Sequence, residues 1–169
     1  MSKWLRGRPV AENEVALRRA AVDGKTAEVR VLLAAGTDPD AALDWEETAL
    51  GYAAQRGHEE AVAALAEGGA DLDKVGNLGA TPLMGAAFMG HSGVVRRLLE
   101  LGADHTAAAA VGTGGPHQGL QYRGKTALEL AEEVAEKEPS ESDEELDAKK
   151  AGRLEAAAVL REWAARHPA

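Results

Sequence analysis

A spacing of 33 residues constrains the fold of this chain more than any other feature of its sequence. Thr81 and His91 each lie 33 positions after an identical residue, Thr48 and His58. Apolar residues and glycines repeat with the same spacing, as in the pairs Leu50 and Leu83, Ala53 and Ala86, Ala54 and Ala87, Gly57 and Gly90, Val62 and Val95, Leu65 and Leu98, and Gly69 and Gly102. A fixed period of this length predicts an array of short structural repeats.

Each repeat has the pattern of two helices joined by a glycine turn. In the best-formed repeat, Thr81 is a typical cap before a helix whose first turn holds Pro82, and Gly90 ends that helix. Residues 94–99 then predict a second amphipathic helix, which Gly102 stops. A weaker copy lies a further 33 residues toward the N-terminus, where Val15 replaces the capping threonine.

Thr-Pro-Leu at the helix start, Gly-His between the helices and Gly-Ala-Asp after them resemble the ankyrin repeat family. The resemblance implies an all-α solenoid of paired antiparallel helices, with hairpin fingers between repeats and a long C-terminal capping helix. We predict one domain over residues 1–169, with repeats at about 9–40, 41–73, 74–106 and 107–169. The fourth repeat is stretched by an inserted loop at 107–123 and an acidic linker at 138–143.

The composition suits such an array and excludes several classes of function. With one Phe, two Tyr and three Trp, the core must consist mostly of Ala, Leu and Val, which a solenoid accommodates because each helix pair contacts only its neighbours. The net charge of −9 argues against nucleic acid as a partner, and the absence of cysteine excludes disulfide and thiolate chemistry. No apolar run approaches the roughly 20 residues that a membrane helix needs. We therefore predict a cytoplasmic protein without a membrane partner, monomeric on its own; a nuclear or organellar location stays open.

Residues 119–126, with the sequence GLQYRGKT, match the phosphate-loop pattern letter for letter. A working loop needs a buried parallel strand in front of it, whereas residues 107–116 are rich in Ala and Gly and do not have a strand pattern. Moreover, Gly124, Lys125 and Thr126 fall at the helix opening of the fourth repeat. We therefore favour a structural role here and keep nucleotide binding as a third hypothesis.

His58 and His91 occupy equivalent turn positions, each directly after a glycine. The resemblance implies a structural role for them, in which each ring is tied to neighbouring backbone. The histidines of the chain show no metal-ligand spacing, and no nucleophile lies beside a base in a local signature. We therefore predict no metal, no cofactor, no small-molecule substrate and no catalytic residue.

The resemblance also implies that a partner protein binds the finger tips and the inner helices on the concave side of the stack. Aligning the repeats gives these predicted partner-binding residues: Trp45, Glu47, Gln55, Arg56, Asn77, Leu78, Phe88, Met89, Tyr122 and Arg123. Phe88 and Trp45 are the predicted anchors, since large aromatic side chains dominate many protein interfaces, while the arginines orient acidic groups. The alternative is that Phe88, Met89 and Tyr122 pack under the inserted loop.

The sequence therefore predicts a non-catalytic protein-interaction module that acts as a regulator or adaptor. The alternative is a structural accessory subunit of a larger multiprotein assembly. The acidic residues between 132 and 147 favour a solvated face or linker, with phosphorylation of Ser140 or Ser142 as the sharper hypothesis.

Overall fold

The computed structural model describes residues 10–41, 47–76, 79–109, 123–137 and 144–168, except for the side chains of 10–11, 134–137 and 144–147. Within these ranges the chain is helical, without strands. The helices are α1 (Val10–Val22), α2 (Thr26–Ala34), α3 (Ala49–Arg56), α4 (Glu59–Glu67), α5 (Pro82–Met89), α6 (Ser92–Leu101), α7 (Ala127–Lys137) and α8 (Glu144–Arg166).

The helices form two layers. The odd-numbered helices form an inner layer, in which α3 packs against α1 and α5, and α5 packs against α7. The even-numbered helices form an outer layer in the same order, each packed on its own inner helix and on the next outer one. The predicted solenoid of paired helices closed by a long C-terminal helix is confirmed.

Local capping explains where the inner helices begin and end. Thr48 Oγ1 accepts a hydrogen bond from the Gly51 N–H (3.0 Å), and Thr81 Oγ1 accepts one from the Met84 N–H (3.3 Å). The αL conformation at Gly90, with φ 80°, turns the chain sharply into α6, a conformation that costs glycine little. The predicted roles of both threonines as helix caps are confirmed.

Small and branched aliphatic side chains fill the space between the layers. Leu50 and Leu83 are fully buried at equivalent positions of α3 and α5, and alanines adjoin them on the same faces. Because alanine side chains are short, neighbouring helices approach closely without a large aromatic core. The composition therefore limits the core to many small contacts between adjacent repeats.

Aspartates tie one repeat to the next where the outer helices end. The Asp71 N–H donates to the Asp40 carboxylate (3.0 Å), and the Asp104 N–H donates to Asp73 Oδ1 (2.9 Å). Burial raises the pKa of Asp73, and the hydrogen bond from Asp104 opposes that shift. These bonds fix the spacing between repeats at the edge where the fingers begin.

The fourth repeat departs from the others between its two helices. The repeat alignment places Ala135 at the glycine of the turn, and without that glycine α7 continues to Lys137, as the sequence predicts. The 23-residue α8 is also much longer than α2, α4 or α6, which have 9 or 10 residues. On its exposed side, Arg161 of α8 pairs with Glu132 of α7 (2.6 Å), so Glu132 faces the C-terminal helix.

Candidate partner-binding surface

The side of the inner layer that faces away from the outer helices carries the candidate surface. On α3 the residues left unburied after the first turn are Tyr52, Gln55 and Arg56, which lie on one helix face because they are three and four positions apart. On α5 they are Phe88 and Met89. We call these five residues the inner face.

Arg56 supplies the positive charge of the inner face. It is the last residue of α3, it is exposed, and its side chain makes no hydrogen bond or ion pair to any residue in the described ranges. One helical turn earlier, the partly exposed Tyr52 side chain likewise has no hydrogen-bond partner there. Sequence analysis missed Tyr52, although its spacing of four residues from Arg56 places both on the same face of a helix.

Gln55 is held in a fixed position between these residues and α5. Its Nε2 donates to Glu47 Oε2 (3.2 Å), and its side chain lies against the backbone of Gly85. A Cβ atom at position 85 would lie 2.8 Å from Gln55 Cγ, so a larger residue there would displace the side chain. Glycine at position 85 therefore allows Gln55 to lie flat between the two inner helices.

Glu47 does not belong to the accessible surface, contrary to the sequence-based prediction. Its side chain is only 4% exposed, and its Oε1 accepts a hydrogen bond from the Thr48 N–H (3.1 Å). Gly76 of the following finger lies directly against the carboxylate, which a Cβ atom at this position would displace. Burial raises the pKa of Glu47, while the hydrogen bonds from Thr48 and Gln55 oppose that shift. Glu47 is thus a buried polar link between two repeats and is inaccessible to a partner.

Phe88 is partly buried and packs against the core. The guanidinium carbon of Arg153, in α8, lies 5.2 Å from the centroid of its ring, a cation–π arrangement. Arg153 Nε also donates to the Phe88 carbonyl oxygen (2.6 Å). Within the described ranges, Phe88 is covered by Arg153 of α8. The alternative prediction was that Phe88 packs under the inserted loop, but residues 110–122 of that loop lie outside the described ranges. Phe88 is therefore only partly accessible on the inner face, and its side chain also packs against the core.

Met89 follows Phe88 at the end of α5, and it is partly exposed. It occupies the position that Arg56 occupies in the preceding repeat, 33 residues earlier. Because α3 and α5 pack side by side, Arg56 and Met89 occupy equivalent positions on neighbouring inner helices. The inner face thus combines a cation, a phenol and an amide with two apolar side chains.

At the turns beside the inner face, side chains of one repeat form hydrogen bonds to backbone carbonyls of the preceding repeat. We call this series of bonds the turn ladder. His58 Nε2 lies 3.0 Å from the Val22 oxygen, and His91 Nε2 lies 3.0 Å from the Gln55 oxygen. The next carbonyl in this 33-residue series is that of Phe88, and Arg153 is the residue that bonds to it. The structural role predicted for both histidines is confirmed. Burial lowers the pKa of His91, with its backbone hydrogen bond to Gln55 opposing the shift and the charge of His58 adding to it.

The repeat architecture and this turn ladder agree with the comparison to known families. The family model for ankyrin repeats matches residues 17–109 in three copies. The chain belongs to the ankyrin repeat family. Ankyrin repeats are protein-interaction modules and are generally non-catalytic. A comparison of this ankyrin repeat protein with the curated proteins finds no match.

Four of the predicted contact residues of this ankyrin repeat protein, Trp45, Asn77, Leu78 and Tyr122, lie outside the described residues. Arg123 is exposed at the base of the fourth finger. That base is closed by two backbone hydrogen bonds, from Ala109 N–H to the Lys125 oxygen (2.9 Å) and from Gly124 N–H to the Ala109 oxygen (3.0 Å). The structure thus brings Gln55, Arg56, Phe88 and Met89 together on the inner face, whereas Arg123 lies at a finger base.

The last residues of the phosphate-loop pattern have structural roles in this ankyrin repeat protein. Thr126 Oγ1 accepts a hydrogen bond from the Glu129 N–H (3.4 Å), while Glu129 Oε2 accepts one from the Thr126 N–H (2.8 Å), an arrangement that caps α7. The Lys125 ammonium forms an ion pair with Glu133. Both side chains therefore form contacts at the start of α7, in agreement with the structural role that the sequence analysis favoured for this pattern.

None of the helices in the described part of the chain combines the length and apolar character that crossing a membrane requires. Across the same residues, no group of three or more His, Cys, Asp or Glu side chains is placed to hold a metal ion.

Proposed function

We propose that this chain is a non-catalytic regulator or adaptor that binds a partner protein through its concave surface, formed by the inner face and the adjoining fingers. The observation that carries the proposal is the position of Arg56 and Met89 at equivalent sites of neighbouring inner helices, where both side chains are accessible. Helices pack on the other sides of α3 and α5, which leaves this side for a partner.

The chemistry of the inner face supports a protein partner. Interfaces combine an apolar centre with polar groups around it, and Met and Arg are both enriched there. Met89 and the edge of Phe88 supply the apolar centre, and Arg56, Gln55 and Tyr52 supply the polar groups. Trp45, Asn77, Leu78 and Tyr122 extend the proposed contact along the fingers, with Arg123 at the base of the fourth.

A Met89→Asp substitution tests the proposal. The tagged full chain is used to capture proteins from native extract, and the retained proteins are quantified by mass spectrometry. Placing a carboxylate at the apolar centre should reduce the retained partner at least about tenfold, a loss typical of a residue at the centre of an interface.

Leu101→Asp is the matched control, because Leu101 is the last residue of α6 and precedes an αL glycine, as Met89 does in α5. Leu101 is 38% exposed, on the outer layer. The control should retain the partner. The proposal is wrong if Met89→Asp retains the partner fully, or if Leu101→Asp loses it to the same extent while both variants remain folded.

A structural accessory subunit is the second candidate, and one feature at the C-terminal end of the array favours it. A pocket of ≈ 350 Å³ lies between the start of α7 and the end of α8, with Leu128 and Leu160 among its lining residues. Leu128 is partly exposed, whereas the equivalent Leu83 is fully buried by the repeats around it. An end-on neighbour in an assembly would cover this apolar surface.

The accessory-subunit hypothesis predicts that the chain co-purifies with a large complex on size-exclusion chromatography of native extract. A Leu128→Asp variant should leave that complex, whereas Met89→Asp should stay in it. The opposite result, in which only Met89→Asp prevents association, favours the regulator or adaptor.

A further inference from the structure

We infer that the partner presents an extended segment with a carboxylate side chain and a large apolar side chain two residues apart, the first bound by Arg56 and Tyr52 and the second by Met89. This inference rests on the proposed function, because it names the chemistry that the inner face recognises. It concerns the part of the inner face where α3 and α5 adjoin.

The carboxylate is assigned from the pairing of charges around Arg56. At the equivalent position of the preceding repeat, Asp23 is already bound by Lys25 (3.0 Å), and that contact lowers the pKa of Asp23. Arg56 has no such partner within the described ranges. A guanidinium offers planar, paired donors that match the two oxygens of a carboxylate. The Tyr52 hydroxyl, one turn earlier on the same face, can donate to the same group.

The apolar side chain is assigned from the next repeat. Met89 is a flexible and polarisable side chain that adapts to differently shaped apolar groups. The preceding residue, Phe88, is also partly exposed, and the Arg153 guanidinium lies over its ring. No charged side chain occupies either of these two positions in the third repeat. This half of the site therefore favours an aliphatic or aromatic side chain.

The spacing of the two groups follows from helix packing. Neighbouring helices lie about 8–10 Å apart, and Arg56 and Met89 occupy equivalent positions on such neighbours. Side chains of an extended chain point to the same side every second residue, at intervals of about 7 Å. An extended segment that crosses α3 and α5 can therefore place an acidic residue at Arg56 and an apolar residue two positions away at Met89.

A selection from displayed random 12-residue peptides on the immobilised full chain tests the inference. Peptides that are enriched should contain Asp or Glu two positions from Leu, Ile, Met, Phe or Trp. A synthetic peptide of that pattern should bind Arg56→Glu at least about tenfold more weakly, because the substitution turns an attraction into a repulsion. Binding to Met89→Asp should weaken by a similar factor.

Arg96→Glu is the matched control, because Arg96 is an exposed arginine of α6 without a hydrogen-bond or ion-pair partner in the described chain. This variant should bind the peptide as the parent chain does. Replacing the acidic residue of the peptide with its amide should reproduce the loss seen with Arg56→Glu.

The possible failures separate the inference from the proposed function. Enriched peptides that lack an acidic residue, or that bind Arg56→Glu unchanged while losing affinity for Met89→Asp, overturn the inference and leave the inner face as the binding surface. Peptides that bind both variants unchanged contradict the inner face itself. A selection that enriches no peptide above the starting library overturns the inference that a short extended segment is recognised.

Discussion

Carbonyl oxygens at equivalent places near the ends of α3 and α5 are bonded by chemically different side chains of the third and fourth repeats. In the third repeat a short turn carries His91, whose ring bonds to the Gln55 carbonyl of the preceding repeat. In the fourth, the corresponding carbonyl of Phe88 is bonded by Arg153, from within the long helix α8. Arg153, preceded by Gly152, therefore has the same role as His58 after Gly57 and His91 after Gly90. The 33-residue period does not reveal this equivalence, because Arg153 lies 62 residues after His91.

In all three cases a side chain of the following repeat donates to this carbonyl oxygen, and the chemical identity of the donor changes. An imidazole serves in the two repeats whose outer helix begins directly after the turn. In the fourth repeat, Arg153 of the long helix α8 reaches the equivalent oxygen and also lies over the partly buried ring of Phe88. The second role adds a contact between the C-terminal helix and the candidate surface that the histidines do not make.

Removing the donor of the fourth repeat should have the largest effect on stability. An Arg153→Met substitution keeps much of the side-chain volume but removes the bond to Phe88, and should lower the free energy of unfolding by about 2 kcal/mol. Arg161→Met is the control, because Arg161 forms an exposed ion pair with Glu132 and should cost about 0–1 kcal/mol. Urea unfolding followed by circular dichroism measures both values. Equal losses in the two variants would contradict the role assigned to Arg153.

A Gly152→Ala substitution should test how closely α8 approaches the turn of the third repeat. The added Cβ atom would lie 2.4 Å from the Gly90 carbonyl oxygen, a backbone atom with little freedom to move. We expect a net loss of about 1–2 kcal/mol, although alanine in a helix ordinarily gains about 1 kcal/mol over glycine.

The sign of the change in melting temperature decides this prediction, because a rise would mean that α8 is not in contact with Gly90. Gly68→Ala provides the comparison. Its Cβ atom would meet only the tip of the flexible Leu33 side chain, so a smaller change is expected there.

Acidification should weaken the third repeat's turn through His91. Burial lowers the pKa of His91 in the folded chain, so the unfolded chain binds more protons in the window from its ordinary value of 6.5 down to the lowered value. The stability that the neutral ring contributes is therefore complete above that window and is lost as the pH falls through it. His91→Gln should consequently show a smaller decrease in unfolding free energy between about pH 7.5 and about pH 5.5 than the parent chain does. An unchanged decrease would contradict the assignment.

Glu47 should give the smallest effect, with the opposite dependence on pH. Burial raises its pKa, so the folded chain binds the proton more readily and the cost of the buried charge disappears as the pH falls through the raised value. Glu47→Gln removes that charge at neutral pH and should raise the unfolding free energy by about 1 kcal/mol or less. The difference from the parent chain should shrink at acidic pH in urea titrations. A large destabilisation at neutral pH would instead show that the charge itself is required.

Several features of the fold and of the site followed from the sequence because they depend on neighbours close in the chain. Thr48 and Thr81 cap helices through groups three residues away, and the turn glycines act through their own backbone conformation. The period then placed His58 and His91 against equivalent carbonyls of successive repeats. It also placed Gln55, Arg56, Phe88 and Met89 at accessible or partly exposed ends of the inner helices.

Other features depended on contacts between distant segments. Glu47 lies in a region predicted to be a finger, and the approach of Gly76 in the next finger contributes to its burial. The cover over Phe88 comes from Arg153, 65 residues away, after an insertion that breaks the period. Tyr52 was missed because its exposure depends on which side of α3 the neighbouring helices leave open.

The sequence by itself therefore determined the repeat, its helix caps and its turn histidines. Those interactions are local or recur at a constant spacing, so they can be recognised without coordinates. Only the tertiary structure decided that Glu47 is buried, that Arg153 forms the last bond of the turn ladder, and that Phe88 packs against the core while staying partly exposed. Burial and long-range hydrogen bonds depend on which chain segments meet in space, and the order of residues does not specify that where the period is interrupted.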